Sequence, residues 1–599
     1  MALVNAAGPR PSRNYPPLIL AGLMMMLLLA SLPSALNLPQ TNPSQTLEYA
    51  PVPPEDENTT PPAGNFSSLG LGSSAGLGAA NGTGGEADVA GAVEGRPVKA
   101  PSTKRCVGTP PRQSEDPLSP PCVAIYNGDN GGATYRGVTR EEVRVVVYMG
   151  GGGRECYYNA PCEDMPTNTT FDLAKPPPEG GEPTRVHFFR VWQTYFNDRY
   201  QTYGRFVHMF VHFGRDASVE GRRATAGEII KTVDPFASVD YVFGNSKAFV
   251  DAMARREVMN FGGRDLRADA TYREHAGLVW SFAPSAERVA KAFSSWICTK
   301  AKPYPASFSG NAGQNGNPRV FGWLETNNPQ MKHYKVIADL VRKETEACGV
   351  RYVAEATYPT CPNLSVGNNE DEATAAIAQF QASNVSTIVW PGCWESNMSR
   401  AANAAGYYPE WLTADYRGFE RSEVGAIGQD QNAWSRAWVV TPQQLMNADS
   451  LPVDPNCLDA YESVDPDIDR DSFEPNNACE AYADLRQLFT GIQVAGPKLT
   501  PASVEKGFRA IPPKPSTDRF IPSCYYEPGD YTCVKDAIAQ WWDPTAAGAN
   551  AGGPAPFKGF QGCYRVGNNG RRYLPGQWPD GDILNMKHPD DICNLSNQY

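Results

Sequence analysis

Glycines and small polar residues follow several apolar segments of the chain, in an arrangement that could bind an anion. Residues 240–253 read DYVFGNSKAFVDAM: an apolar run stops at Gly244-Asn245-Ser246, and apolar residues then recur at helical spacing. Such a turn can simply cap a helix, because Asn and Ser side chains accept hydrogen bonds from first-turn N–H groups. It can also seat an anion, because free N–H groups and the positive end of the helix dipole converge there. One turn alone favours the capping interpretation. Anion binding becomes the better interpretation only if such turns recur at the ends of neighbouring strands.

Similar residues end the other predicted strands. These ends read Tyr148-Met149-Gly150, Gly244-Asn245-Ser246, Phe261-Gly262-Gly263, Glu325-Thr326-Asn327, Tyr358-Pro359-Thr360, Gly392-Cys393-Trp394 and Asp415-Tyr416. The earlier ends offer backbone N–H groups to an anion, whereas the later ones offer aromatic rings and two carboxylates that suit a cation or an apolar body. Ligands of open parallel sheets bind beyond the carboxyl ends of the strands. The candidate ligand-binding residues are Tyr148, Asn245, Ser246, Gly262, Gly263, Asn327, Tyr358, Trp394, Asp415 and Tyr416.

Motifs for covalent or metal chemistry are missing from the sequence. It has no G-x-S-x-G, H-E-x-x-H or Walker A sequence, and its YMGGGGREC stretch lacks the Lys-Ser/Thr ending of a phosphate-binding loop. His208 and His212 share one strand face without further ligands nearby, which favours a buried, hydrogen-bonded pair. The acidic stretch 465–480 lacks the spacing of an EF-hand. We therefore predict no catalytic residue, no metal site and no cofactor.

The elements that would position these strand ends alternate between strands and helices. Apolar runs such as VRVVVYMGG, RFVHMFVHFG and FASVDYVFG are separated by helical patterns such as SKAFVDAMARR. Strands with unbroken apolar runs, alternating with helices, indicate a parallel sheet covered on both faces. The alternation occurs twice in succession, in units of about 140–150 residues that can each close a core. The predicted fold class is therefore α/β, with two such units.

The N-terminal part of the chain has the composition of a targeting segment and a linker. Residues 1–15 form a short N-terminus with Arg10 and Arg13, and residues 16–38 are mostly apolar, as in a signal peptide or a signal anchor. Residues 39–105, rich in Pro, Gly and Ser, are expected to be a disordered tether. The body would then lie outside the cytoplasm, secreted or tethered to the cell membrane. The net charge of −12, without a long basic run, argues against a nucleic acid partner.

Fourteen cysteines in an exported chain indicate up to seven disulfides. Cys348 and Cys361 flank a predicted strand of about ten residues, roughly 30 Å long, whereas a disulfide needs Cα atoms within about 7 Å. Cys298 and Cys348 both end helices, at one sheet edge, whereas Cys361 and Cys393 follow parallel strands, at the other. Those two pairs are therefore predicted, and proximity suggests the others: Cys106–Cys122, Cys156–Cys162, Cys457–Cys479, Cys524–Cys533 and Cys563–Cys593.

Residues 137–493 resemble, in the order of their segments, a known family of binding proteins. GVTREEVRVVVY is similar to its entry strand, VWSFAPSAERVAKAFSSWIC to its crossing into a second lobe, and CEAYADLRQLFTGIQVAGPKLTPASVEKGF to its late return helix. The family is the type I periplasmic substrate-binding proteins of ABC transporters, especially the branched-chain amino acid group. The long tether and the cysteine-rich C-terminus resemble versions from Gram-positive bacteria of high G+C content.

The resemblance implies two lobes, each a parallel sheet flanked by helices, joined by three crossings. Lobe 1 would comprise 106–282 and 441–500, lobe 2 would comprise 283–440, and 501–599 would be a disulfide-stapled extension. The ligand carboxylate would bind at Gly244-Asn245-Ser246 and at Phe261-Gly262-Gly263, where the family often has a threonine or alanine instead of the two glycines. Asp415 would bind the ammonium group.

The function implied is capture of a small solute, an amino acid or a similar carboxylate or amide, and its delivery to the permease subunits of an ABC transporter. Two alternatives stay open at this point. One is a ligand-sensing ectodomain on the same fold, with the N-terminal segment as part of a signalling anchor. The other is an extracellular hydrolase, which the missing nucleophile motifs disfavour.

Overall fold

The computed structural model describes residues 106–594, with internal gaps. The gaps are 117–118, 152, 156–162, 243–245, 263–265, 330, 360, 362–368, 416–417, 423, 444–454, 469–477, 480, 514–521, 547–560 and 589. The predicted segments 1–15, 16–38 and 39–105 therefore lie outside the described residues, as do Asn245, Gly263, Tyr416 and the Cys156–Cys162 pair. Within the described residues, no helix combines the length and the apolar content needed to cross a bilayer.

The first sheet is built from strands of the first predicted unit. Its strands are β3 (Glu142–Gly151), β6 (Thr169–Asp172), β7 (Phe206–Gly214), β8 (Ala237–Asp240), β9 (Met259–Phe261) and β10 (Val279–Trp280). Their order is β10-β9-β8-β3-β7-β6, and only β6 pairs antiparallel. The parallel part thus has the doubly wound order 2-1-3-4-5. Two small hairpins lie outside it: β1 (Cys106–Val107) with β2 (Arg112–Gln113), and β4 (Gly153–Glu155) with β5 (Glu163–Met165).

The second sheet repeats this order and then extends it. Its strands are β11 (Phe321–Thr326), β12 (Tyr352–Tyr358), β13 (Thr387–Pro391), β14 (Glu410–Ala414), β15 (Ala437–Thr441), β16 (Ile538–Asp543), β17 (Cys563–Val566) and β18 (Cys593–Asn594). The order β12-β11-β13-β14-β15 is again 2-1-3-4-5 and parallel, and β16, β17 and β18 follow it antiparallel. The α/β class with two parallel sheets, predicted from the sequence, is confirmed.

Helices cover the sheets, as the apolar runs of the strands require. The helices are α1 (Thr184–Arg199), α2 (Val219–Thr232), α3 (Lys247–Ala254), α4 (Asp269–Glu274), α5 (Ala286–Trp296), α6 (Lys332–Ala347), α7 (Glu370–Ala382), α8 (Asn397–Ala404), α9 (Gln431–Trp434), α10 (Pro455–Glu462), α11 (Tyr482–Ala495) and α12 (Pro501–Ala510). In β3, consecutive residues Val145, Val146 and Val147 are all buried, so both faces of the strand are covered. Ser218 and Ser285 begin α2 and α5 by accepting first-turn N–H groups.

Three chain segments cross between the two units, side by side. The first crossing follows β10, the second follows β15, and the third precedes β16. The backbone N–H of Cys533 donates to the Ser281 carbonyl at 2.9 Å, which joins the third crossing to the first. Arg572 donates to the Pro442 carbonyl at 2.7 Å and to Asp536 at 2.7 Å, which joins the second crossing to the third. Since two crossings leave from the carboxyl ends of β10 and β15, the carboxyl edges of the two sheets face each other.

Six of the seven predicted disulfides are present, and the seventh lies outside the described residues. Cys298 pairs with Cys348 and Cys361 pairs with Cys393, as the strand directions predicted. The pairs assigned by proximity are also confirmed: Cys106–Cys122, Cys457–Cys479, Cys524–Cys533 and Cys563–Cys593. Cys361–Cys393 connects the ends of β12 and β13, at the edge that faces the other unit.

The C-terminal residues differ from the loop-rich extension expected over 501–599. Helix α12 packs against α11, with Val504 and Phe508 in the core of the first unit. Strand β16 instead joins the second sheet and buries Ile538 and Trp542. This region is rich in Pro and Gly, and its strands are only two to six residues long. Such short strands between turns have the sequence pattern of loops, so they were not predicted.

Candidate functional site

The facing carboxyl edges of the two sheets contain the expected ligand positions. In a 2-1-3-4-5 sheet the direction of winding reverses between the first and third strands, and ligands bind in the crevice outside that point. In the first sheet this is the gap between the ends of β3 and β8. In the second sheet it lies between the ends of β11 and β13. Of the seven described candidates, Ser246, Asn327 and Trp394 follow β8, β11 and β13, and Tyr148 lies within β3.

A buried ion pair organises the end of β8. Asp240 is buried, and both of its carboxylate oxygens accept from Arg267 Nη2 at 2.6 Å. Arg267 Nη1 donates to the Gly262 carbonyl at 3.1 Å. A Cβ at Gly262 would lie 2.2 Å from Asp240 Oδ1, so only glycine fits there. The Ser246 hydroxyl lies 3.4 Å from Arg267 Nη2, and the structure thus brings Ser246 and Gly262 together around this pair.

Ser246 itself differs from the helix cap considered in the sequence analysis. It occupies the N-cap position of α3, but its side chain accepts no first-turn N–H group. The backbone carbonyl of Ser246 accepts from Phe249 N at 3.0 Å and Val250 N at 3.1 Å instead. Its side chain is fully buried beside Arg267. The capping interpretation is therefore wrong for this hydroxyl, because its backbone is already helical and turns the side chain inward.

Tyr148 lies within β3, three residues before its end, and is fully buried in the core of the first unit. Its ring stacks on Phe249, with the ring centroids 3.9 Å apart. Its hydroxyl has no hydrogen-bond partner among the described residues. Burial raises the pKa of Tyr148 to about 12, and the nearby Arg222 guanidinium lowers it only in part. The phenol is therefore a neutral hydrogen-bond donor at ordinary pH.

Arg222, in the first turns of α2, was missed by the sequence analysis. Its side chain is buried, and its Nε donates to the Ala217 carbonyl at 3.2 Å. Nη1 is buried without a partner among the described residues. One sequence signal could have identified it: a cation near a helix N-terminus opposes the helix dipole.

Buried carboxylates occupy the facing edge of the second sheet. Asp415, directly after β14, accepts from Tyr334 Oη at 2.9 Å and from Phe419 N at 3.2 Å. Two further carboxylates were missed. Glu420 accepts from Gly418 N at 2.9 Å, and Glu395 accepts from two N–H groups at the start of α8, at 2.8 and 2.6 Å. Burial raises the pKa of the Glu395 carboxyl.

The remaining candidates of the second sheet differ in accessibility. Tyr358 is fully buried: its hydroxyl accepts from Trp390 Nε1 at 2.7 Å and donates to the Cys393 carbonyl. Contrary to the expectation, its side chain therefore packs in the core of the second unit and does not line the crevice. Trp394 is half-buried against that core, whereas Asn327 is exposed and donates to Thr357 Oγ1 at 3.3 Å.

The histidines and the acidic clusters of the described residues have structural partners. His208 lies between Glu142 and Asp172, and His212 Nδ1 lies 2.8 Å from Thr170 Oγ1. Both are hydrogen-bonded as expected, but only His212 is fully buried. One group, Asp251, Glu274 and His275, is close enough to coordinate a metal ion. Lys247 Nζ already contacts both of its carboxylates, at 2.7 and 3.2 Å, so an ion-pair network accounts for the group.

Comparisons with known proteins give matches among solved structures. No family model and no curated protein matches the chain. A leucine-, isoleucine-, valine-, threonine- and alanine-binding protein from Brucella ovis shares 12% identity, covering 75% of this chain and 100% of its own (TM-score 0.45). An ABC transporter substrate-binding protein from Aeropyrum pernix shares 10%, covering 73% and 96% (TM-score 0.47). An R. palustris ABC transporter solute-binding protein, in complex with 4-hydroxybenzoate, shares 11%, covering 67% and 93% (TM-score 0.43). The chain is thus similar to substrate-binding proteins of ABC transporters, and its strand order independently gives two doubly wound α/β units.

Proposed function

We propose that this chain is an extracytoplasmic binding protein that captures a small solute between its two units and delivers it to the permease of an ABC transporter. The observation that carries the proposal is the opposite character of the two facing edges. The first edge holds buried hydrogen-bond donors, Arg222 and Tyr148. The second holds the buried carboxylates Asp415, Glu420 and Glu395. A solute with a negative and a positive end, such as an amino acid, fits between them.

Closure of the two units around the solute would be the mechanism, with no covalent step. The described parts of the three crossings are hydrogen-bonded to one another, so they can act as one hinge while each sheet moves as a rigid body. Closure would remove water from the crevice and so strengthen the polar contacts with the solute. Trp394, half-buried at the end of β13, is placed to cover an apolar part of the solute.

The cellular setting follows from the disulfides and from the N-terminal sequence. Six disulfides require an oxidising compartment, such as the cell exterior. We also propose that residues 16–38 direct export or remain as an anchor, and that residues 39–105 tether the body near the membrane. A tether of 67 residues has a mean span of about 45 Å, which would allow the body to reach a permease in the same membrane.

A thermal-shift screen of amino acids, amides, polyamines and aromatic acids tests the proposal. A solute at a hundred times its Kd should add about 2.7 kcal/mol of stability. Binding should also reduce the radius of gyration in solution scattering, because the units close. Asp415→Asn should lower the affinity for amine-bearing solutes more than the affinity for solutes without an amine. A screen in which no solute raises the melting temperature would contradict the proposal.

A further inference from the structure

Eight arginines of the described residues are buried, Arg421 among them, and Arg222 differs from six of these in what it contacts. Five buried arginines each have a carboxylate within ion-pair distance: Arg199, Arg267, Arg319, Arg486 and Arg572. Arg205 instead donates to four backbone carbonyls. Arg222, only 4% exposed, donates to a single carbonyl and has no carboxylate within 4 Å in the described part of the chain. Burying a charge without a close counter-ion is costly, and among the described residues no carboxylate bonds directly to this guanidinium.

Tyr148 places a second donor in the same region. Its hydroxyl is buried and unpartnered within the described residues, and it lies 3.1 Å from the position a Cβ on Gly214 would occupy. Gly214 ends β7, and α2 with Arg222 follows it after four residues. Stacking on Phe249 fixes the Tyr148 ring. Both unpartnered donors therefore lie at the carboxyl edge, where β3 and β7 end.

Glycines let the loop before α2 approach the end of β3. A Cβ on Gly151 would lie 2.4 Å from Asp216 Cα, and one on Gly221 would lie 2.0 Å from Asp216 Oδ1. The Asp216 carboxylate accepts from Ser218 N at 2.8 Å and forms no ion pair with Arg222 within 4 Å. Hydrogen bonds from Ser218 lower the pKa of the Asp216 carboxyl, and the more distant Arg222 guanidinium contributes to the same shift. The positive end of the α2 dipole adds to the potential at this edge.

We propose that Arg222 and Tyr148 form the binding seat for a carboxylate of the solute. This inference rests on the proposed function and moves the seat from the Gly244-Asn245-Ser246 turn to the side of β3 that faces β7. A carboxylate there would accept charge-assisted hydrogen bonds from the guanidinium and one from the phenol. It would also give Arg222 a directly bonded counter-ion, which the described residues do not provide.

Matched pairs of carboxylates and amides test the seat on the full chain. The probes are phenylalanine with phenylalaninamide, benzoate with benzamide, and butyrate with butyramide, titrated while the melting temperature is recorded. At least one carboxylate should raise the melting temperature of the wild-type protein, and its amide should not. Arg222→Met should lower the affinity for that carboxylate by at least about tenfold, whereas Arg222→Lys should retain part of the affinity.

Two further variants separate binding from folding. Tyr148→Phe should lower the affinity for the same carboxylate by about fivefold, because one hydrogen bond is lost. Tyr200→Phe is the matched control, because Tyr200 is also buried with an unpartnered hydroxyl in the described residues but packs against Phe489 in the core. It should bind like wild type. Ligand-free Arg222→Met should melt no lower than wild type, because no carboxylate of the described residues lies within 4 Å of the buried cation.

The outcomes distinguish the seat from the broader function. Equal carboxylate affinity in Arg222→Met and wild type overturns the seat and leaves the proposed function standing. A lower melting temperature of ligand-free Arg222→Met with unchanged affinity also overturns it, since Arg222 would then be structural. No response of the wild-type protein to any probe or screened solute overturns the proposed function and the seat together.

Discussion

The two sheets share one strand order, yet their facing edges are built in opposite ways. In the second unit, the Asp415 and Glu395 carboxylates are satisfied by nearby N–H and hydroxyl groups, and a disulfide joins the ends of β12 and β13. In the first unit, Arg222 and Tyr148 keep buried atoms without partners among the described residues. The same architecture thus has an acidic edge whose carboxylates are hydrogen-bonded and an edge whose donors have no partner among the described residues.

Elementary chemistry explains why the difference takes this direction. Loops that follow parallel strands expose backbone N–H groups, which satisfy a carboxylate without any further side chain. A guanidinium needs several acceptors: Arg205 has four backbone carbonyls, whereas Arg222 donates to one. An acidic edge can therefore be complete without ligand, whereas a basic edge retains unmet hydrogen-bonding capacity. This asymmetry is why the first unit carries the stronger indication of a binding role.

The largest expected effect comes from removing a paired arginine for comparison with the unpaired one. Arg319 lies at the amino edge of the second sheet and donates to Glu410 at 2.7 Å and to Asp582 at 3.1 Å. Arg319→Met should lower the free energy of unfolding by about 3–5 kcal/mol, because Glu410 would remain buried without its counter-ion. Urea unfolding measures this, with Arg222→Met as the matched variant. Equal losses of unfolding free energy in the two variants would contradict the proposed difference between Arg319 and Arg222.

The disulfide at the crevice should matter in two measurements. Cys361 and Cys393 close a loop of 32 residues, so replacing both by serine should cost about 3–4 kcal/mol. It should also weaken solute binding, because the Trp394 segment loses its link to β12. The pair Cys298–Cys348 lies at the opposite edge of the same sheet. Its double serine variant should lose similar stability and keep solute affinity, and calorimetry that finds equal affinity losses would contradict this separation.

Acid should weaken the first unit through one histidine. Burial lowers the pKa of His212 from 6.5 to about 4, with partial opposition from Glu228. As the pH falls from 6.5 to 4, the unfolded chain binds this proton before the folded one, so stability present above pH 6.5 is lost over that range. The loss should reach about 3 kcal/mol. His212→Gln should remove this component of the pH dependence in urea unfolding at a series of pH values, and an unchanged slope would contradict it.

Sequence patterns predicted some of these features and could not predict others. Continuous apolar runs identify strands buried on both faces, which is why VRVVVYMGG coincides with β3. Strand direction alone placed Cys361 and Cys393 at one edge. Tyr358 was misplaced because successive strand side chains point to opposite faces, and its position at a strand end does not determine which face it occupies. Arg222 was missed because a missing counter-ion is a property of distant residues.

The smallest expected effect separates the two possible seats on the first sheet. The Ser246 hydroxyl is buried beside Arg267 at 3.4 Å, and Arg267 already binds both carboxylate oxygens of Asp240. Ser246→Ala should therefore change the free energy of unfolding by less than about 1 kcal/mol. If Arg222 and Tyr148 bind the carboxylate, the solute affinity of this variant should also stay within about twofold of wild type.

A carboxylate held by the Gly244-Asn245-Ser246 turn would give a different result for the same variant. Loss of a charge-assisted hydrogen bond from Ser246 would weaken binding by about 1–3 kcal/mol while stability stayed nearly constant. Titration calorimetry of Ser246→Ala beside Arg222→Met, with the carboxylate that binds wild type most tightly, compares the seats directly. A loss confined to Ser246→Ala would place the seat beside Ser246, as the sequence predicted. A loss confined to Arg222→Met would place it where β3 and β7 end, and would make the unpaired guanidinium the reason that the two edges differ.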